Sequence, residues 1–432
     1  MTMTSATAEP RPIDIVTFGC RLNACESQAL RERAAAQTLT ETVVFNTCAV
    51  TAEAVRQARQ AIRRARRERP SARLVVTGCA AQIDPAAFAA MDEVDLVLGN
   101  ALKAAPGALL AEGVHVSDVM IDRPPLPAPA GAPAGRARAY VAIQSGCDHR
   151  CTFCVIPFGR GNSRSQSRAA VIRQVRALAA AGYAEVVLTG VDLTSWGEDL
   201  AGAPKLGDLI GAVLGDVPEL PRLRLSSIDA AEIDARLLAL LASERRLMPH
   251  LHLSLQSGDD LILKRMRRRH SRAAALALVE AVRRARPETA FGADFIAGFP
   301  TETEAAFANT LNFVAEAGLA FLHVFPFSPR AGTPAARMPQ VAREVVHARA
   351  RRLRLAGEAA LERHLAALEG KTLTALVERP GLGRAEDFTE VAFEGVAAPG
   401  SLISGVVAGR DHSRARLSAW ALVPTTRPDP TG

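Results

Sequence analysis

The chain has 432 residues, 48% of them apolar and 22% charged, which suffices for two or three domains with cores of their own. No run approaches the roughly 18 uncharged apolar residues of a spanning helix, and the first ten residues lack a basic stretch leading into an apolar one, so membrane and secreted readings are set aside and the chain reads as cytoplasmic. The formal charge of +7 rests on 52 basic residues of which only Lys103, Lys205, Lys264 and Lys371 are lysine, a compositional bias that makes clusters of arginine informative and single arginines not.

Three β-like runs open the chain, and each ends in a cysteine: Ile13–Gly19 before Cys20, Thr42–Thr47 before Cys48, and Arg73–Gly78 before Cys79. Helical periodicity lies between them, as from Thr51 to about Arg69. Alternating strand and helix predicts a parallel sheet whose strand carboxyl ends share one edge, the edge where open α/β sheets bind ligands. Cys20, Cys48 and Cys79 should therefore converge although nearly sixty residues separate the first from the last. In a cytoplasmic chain such thiols point to metal ligation rather than disulfides. Cys25 is either a small buried apolar residue, the favoured reading, or a fourth ligand that would close the site. The run Arg63-Arg64-Ala65-Arg66-Arg67 is either a solvated helix face or a patch for a polyanion such as RNA.

Residues 11–120 thus form one α/β domain, and a Pro/Gly/Ala-rich linker follows at 121–138. Beyond it, strand-like runs at Ala139–Ser145, Glu185–Val191, Arg222–Ser227, Leu251–Leu255, Ala290–Ala297 and Phe321–Phe327 alternate with helical segments. That order predicts a partial or complete βα barrel over 139–368, with its working residues at the carboxyl ends of the strands. After the first strand comes Gly-Cys147-Asp-His149-Arg-Cys151-Thr-Phe-Cys154. Three thiolates in so short a loop can hold three corners of a [4Fe–4S] cube, whose full complement is four, and leave one iron open for chemistry. A zinc loop is the alternative, with His149 an awkward fourth donor. A second basic run, Arg265-Met266-Arg267-Arg268-Arg269-His270, admits the same two readings as the first. From Lys371 the pattern changes to short strands split by Gly/Pro turns, which predicts an OB-like β-barrel over 369–424, with 425–432 as a tail.

The Cys147, Cys151 and Cys154 spacing at the start of a βα barrel resembles the radical S-adenosylmethionine (SAM) superfamily. Thr17-Phe-Gly-Cys20-Arg-Leu-Asn23, Asn46-Thr-Cys48-Ala-Val-Thr51 and Thr77-Gly-Cys79 resemble the methylthiotransferases within it, and the last domain resembles their TRAM barrel. The resemblance is greatest to the branch acting on N6-threonylcarbamoyladenosine in tRNA. It implies two [4Fe–4S] clusters, on Cys20, Cys48 and Cys79 and on Cys147, Cys151 and Cys154. It further implies SAM bound near Thr189, Gly190, Gln256, Ser257, Ile296, Gly298 and Val324, with no catalytic side chain beyond the cluster ligands. Implied partners are the anticodon stem-loop of tRNA, met by Arg63, Arg64, Arg66, Arg67, Lys371 and Arg410, a flavodoxin- or ferredoxin-like electron donor, and a sulfur source. The enzyme would act as a monomer and insert a methylthio group at C2 of the base. The alternatives are a methylthiotransferase acting on isopentenyladenosine tRNA or on a ribosomal protein aspartate, or a non-catalytic iron–sulfur RNA-binding protein.

Overall fold

The computed structural model describes residues 13–36, 39, 41–122, 126 and 137–424. Most of the expected linker and the expected tail at 425–432 lie outside the described residues. The chain divides into two compact units. The first is Met1–Gly131 together with Val155–Asn162, and the second is the remainder. The return of Val155–Asn162 to the first unit is not visible in the sequence, where it reads as the start of the barrel's first connection.

In the first unit, β1 (Asp14–Thr17), β2 (Thr42–Thr47), β3 (Arg73–Gly78), β4 (Leu96–Leu98) and β5 (Gly113–His115) form one sheet in chain order. Every neighbouring pair is parallel. All six residues of β2 are buried, as expected of a strand covered by helices on both faces. Helix Ala52–Glu68 starts where Thr51 accepts the Ala54 N–H, an N-cap worth about 1 kcal/mol. The two strands absent from the sequence reading, β4 and β5, have three residues each, too few to show a period.

The second unit contains β6 (Ala139–Ala142), β7 (Gln144–Ser145), β8 (Arg164–Ser165), β9 (Glu185–Thr189), β10 (Arg222–Leu225), β11 (His250–Gln256), β12 (Ala290–Ala297) and β13 (Phe321–Pro326). The parallel triplets β6-β9-β10 and β11-β12-β13 are joined through bridges at Leu223–Leu247 and Ile228–Leu253, giving the expected six-stranded partial barrel. Val186, Leu188, Leu223, Leu225, Leu251, Leu253, Leu255, Phe291, Ala293 and Phe295 pack into one core with the surrounding helices. Side chains alternate along a strand, so Glu185, Arg222, Arg224, His252, Asp294 and His323 sit on the inner face.

The last strands, β14 (Thr372–Arg379), β15 (Leu382–Ala385), β16 (Glu390–Phe393), β17 (Leu402–Arg410) and β18 (Ala415–Leu422), close a barrel in the order β14-β15-β16-β18-β17. Buried ions tie it to the amino-terminal ends of the larger barrel's strands. Glu185 accepts from Arg224 at 3.1 Å and pairs with Arg138 at 2.8 Å. Those cations reach across to Glu378, the Ala385 and Glu386 carbonyls and, through Arg222, the Thr374 carbonyl.

Candidate active site

In the first unit the three cysteines lie just past the carboxyl ends of β1, β2 and β3. Cys20 precedes helix Arg21–Ala36 and is exposed, so the positive end of that helix dipole faces any anionic centre held there. Cys48 and Cys79 are buried. Burial pushes the Cys48 thiol up to about 11, although the Val50 N–H bonds its sulfur, and the charges of Cys79 and Cys20 push it further. Buried thiols that oppose one another's ionisation suit a metal cluster, whose positive charge reverses that cost. The surrounding groups fit the same occupant. Asn23 donates to the Phe18 and Thr47 carbonyls, fixing the turns that carry Cys20 and Cys48. Asn100 donates to Cys79 Sγ at 3.8 Å. Arg160 donates to Asn23 Oδ1 at 2.5 Å and to Glu26 at 2.8 Å, while Lys103 reaches Glu26 at 2.6 Å. Burial alone would raise the Glu26 carboxyl, but Arg160 and Lys103 hold it at about 2. Two buried cations against one carboxylate leave a net positive charge beside the three thiols.

Cys25 lies on helix Arg21–Ala36 and is half-buried, less enclosed than the apolar role predicts.

In the second unit Cys147, Cys151 and Cys154 are each half-buried on the loop after β7. Gln144 organises that loop, its Nε2 donating to the Gly146 carbonyl and to Ser163 Oγ and its Oε1 accepting the Val191 and Asp192 N–H groups. Asp192 accepts from Ser195 at 2.7 Å and from the Cys147 thiol at 3.5 Å. Burial and that carboxylate together push the Cys147 thiol far up, again a cost that bound iron removes. His149 Nε2 lies 3.0 Å from Asp192 and 3.2 Å from Glu232, and these carboxylates raise its imidazole to about 10. Cys147, His149 and Asp192 bring one ligand atom each to within 4.8 Å of one another, a grouping that the zinc alternative would also use. Arg268 donates to Cys151 Sγ at 3.6 Å, to Asp229 at 2.7 Å and to the Ser254 carbonyl.

The second basic run is therefore not a surface patch throughout. The Arg268 side chain is 7% exposed, Arg269 pairs with Glu232, and Arg265 donates to Thr301. Nothing in the spacing of that run distinguishes Arg268 from its neighbours, because its partners Cys151, Asp229 and Ser254 come from other segments of the chain.

Two relatives place the chain in a family. The threonylcarbamoyladenosine tRNA methylthiotransferase MtaB of Rickettsia prowazekii is 45% identical over 92% of this chain and 94% of its own length. The MtaB of Aquifex aeolicus is 33% identical over 90% of this chain and 98% of its own. The chain belongs to the radical SAM tRNA methylthiotransferase family. Residues 141–314 match the radical SAM superfamily, and residues 12–99 match a family described as uncharacterized protein family UPF0004. The tRNA-2-methylthio-N(6)-dimethylallyladenosine synthase of Erythrobacter litoralis is 35% identical over 92% of this chain and 94% of its own. In fold, the chain is similar to the radical SAM methyltransferase TsrM from Kitasatospora setae, at a TM-score of 0.53 and 16% identity over 75% of each chain.

The remaining residues expected to function in this methylthiotransferase fall unevenly. Thr189 is buried at the end of β9, and a Cβ on Gly190 would lie 2.8 Å from Gln144 Oε1. Gln256 ends β11, and the buried Ser257 beside it accepts the Asp259 N–H. Ile296 clusters with Phe153 of the cysteine loop, and Gly298 donates to Glu302. Val324 differs: its side chain packs against the central core, on the face of β13 opposite the lumen. Among the expected RNA contacts, Arg66 is taken up by the Pro70, Ala72 and Glu93 carbonyls and Asp95, which makes it a brace of its own domain. Arg64 pairs with Glu68 and Arg63 lies 3.9 Å from Glu93, while Arg410 pairs with Glu369. Arg67 and Lys371 are exposed. Among the described residues, no helix is long and apolar enough to cross a membrane.

Proposed function

We propose that this chain inserts a methylthio group at C2 of N6-threonylcarbamoyladenosine next to the anticodon of tRNA. What carries the reading is the pair of three-thiol sites at strand carboxyl ends, in a chain 45% identical over 92% of its length to an MtaB. Cys20, Cys48 and Cys79 would hold one [4Fe–4S] cluster, and Cys147, Cys151 and Cys154 the other. When bound, these clusters and SAM supply the electron, the hydrogen-abstracting radical and the sulfur that no side chain provides.

The protein's own part is to position and to balance charge. Gln144 holds the second cysteine loop to the end of β9, and Arg268 donates to its middle thiol. His149 lies between Asp192 and Glu232 beside that loop, and Arg269 also pairs with Glu232. Arg160 and Lys103 place positive charge against the first trio. Thr189, Gly190, Gln256, Ser257, Ile296 and Gly298 would border SAM, and Arg67, Lys371 and Arg410 would meet tRNA phosphates. A flavodoxin- or ferredoxin-like donor and a sulfur source complete the reaction of a monomeric enzyme.

Action on dimethylallyladenosine is the second reading, favoured by the 35% identity to the Erythrobacter litoralis synthase. Mass spectrometry of tRNA nucleosides from cells with and without the gene decides. The expected result is a methylthio mass on threonylcarbamoyladenosine that disappears with the gene. Its loss from the dimethylallyl nucleoside instead would favour the second reading. No change in either nucleoside would point to a ribosomal protein aspartate or to a non-catalytic role.

A further inference from the structure

One group of titratable side chains lies outside both cysteine sites. His252 of β11, Asp294 of β12 and His323 of β13 meet on the inner face of the barrel. His252 Nε2 and His323 Nδ1 both contact Asp294 Oδ1, at 2.9 and 3.1 Å. His252 is buried, and it lies so close to β12 that a Cβ on Gly292 would stand 2.6 Å from its Nδ1. His323 is the open end, with its side chain 60% exposed.

The surroundings say what the open end can meet. β13 is the last strand of its sheet, and its outer face is covered, with Gly357 against Leu322 and Val324 in the core. On the inner face, Phe325 is 37% exposed beside His323. One pleat repeat above the trio, about 6–7 Å along the strands, Ile296 packs with Phe153 of the cysteine loop and Ser254 binds Arg268. The trio therefore lies in the lumen one layer beneath the second cysteine site. Nearby cations are engaged: Arg222 and Arg224 on these inner faces by Glu185 and the small barrel, and Arg268, beyond the strands, by Asp229, Ser254 and Cys151. A ring whose Nδ1 lies against Asp294 leaves its Nε2 to face a ligand, and an Nε2–H there would donate to a carboxylate.

We propose that His323, held by Asp294 and His252, is the specificity-determining residue that reads the carboxylate of the threonylcarbamoyl group. This rests on the substrate reading above, since that carboxylate is the ionised group by which the threonylcarbamoyl base differs from one with an alkyl substituent. Phe325 offers the apolar surface beside it. A cation held by the trio is the competing assignment. Both imidazoles already lie within hydrogen-bond distance of a single Asp294 oxygen, which gives each of the three side chains a partner without one.

A two-by-two comparison tests this. Wild type and His323→Gln, both with reconstituted clusters, are given an anticodon stem-loop bearing N6-threonylcarbamoyladenosine or its threoninamide analogue, which lacks the charge. Wild type is expected to favour the acid at least about tenfold in kcat/KM, and the variant to turn over the acid no better than the amide. Iron content and unfolding midpoint check that the variant is folded. An unchanged acid-to-amide ratio, with the acid still a substrate of wild type, overturns the subsite alone. Turnover by wild type of a dimethylallyl stem-loop and not the acid overturns the substrate reading and the subsite with it. A stoichiometric zinc or third iron site, lost in His323→Gln, would assign the trio to a cation instead.

Discussion

Gly19 and Gly78 precede two of the three N-terminal cysteines for a steric reason. Gly19 has φ +87°, and a Cβ there would stand 2.6 Å from Cys48 Sγ. Gly78 has φ +94°, and its Cβ would lie 2.4 Å from the Thr47 carbonyl oxygen. Neither contact yields, because one neighbour is the thiol itself and the other is backbone, and the left-handed region adds strain to any side chain. Gly19→Ala is therefore expected to displace Cys48 and cut bound iron from about eight to about four per chain, measured after anaerobic reconstitution. Cys25→Ala should leave iron at the wild-type level, since Cys25 is assigned no ligand role. The glycine–cysteine pairs are legible as motifs in the sequence, whereas Glu26 and Lys103 are not. Their contribution arises only when Arg160, more than 130 positions from Glu26, and Lys103 both come to lie against that carboxylate.

At the scale of elements, the parallel strands and the helix over 52–68 were readable because an amphipathic or apolar period repeats several times in each. β15 escaped notice because Leu382–Ala385 has only four residues, one of them Gly383, whose Cβ would meet the Leu376 carbonyl. The joint between the two barrels gives a pH prediction. Burial would raise the Glu185 carboxyl, but Arg224, Arg138 and Arg222 hold it at about 2. A depressed pKa stabilises the fold above the unfolded carboxyl's value near 4.5 and loses that contribution as pH falls toward about 2. Unfolding followed by Trp196 and Trp420 fluorescence should show stability falling across that window. Glu185→Gln should flatten the slope there and at neutral pH destabilise by about 3–5 kcal/mol, because it leaves buried cations unpaired. A variant with wild-type stability at pH 7 would show that the ion cluster does not hold the joint.

For the molecule as a whole, the net charge of +7 predicts a salt-dependent hold on tRNA. Binding should weaken about tenfold or more between ~50 and ~200 mM salt if three or more phosphates are met. Arg67→Ala, exposed, should reduce the slope of log Kd against log salt. Arg66→Ala should instead lower the unfolding midpoint and leave that slope as it was, because its guanidinium is bound within its own domain. Sequence alone determined the two cysteine trios, the succession of α/β sheet, βα barrel and small β-barrel, and the family to which they belong. Those are properties of spacing and period, which are local in one dimension. Tertiary structure decided which charges remain for a ligand: it used Arg66, Arg224 and Arg268 to hold distant segments together and left His323 open in the lumen. A side chain's availability depends on partners that only the folded topology brings within hydrogen-bond reach, so no pattern along the chain records it.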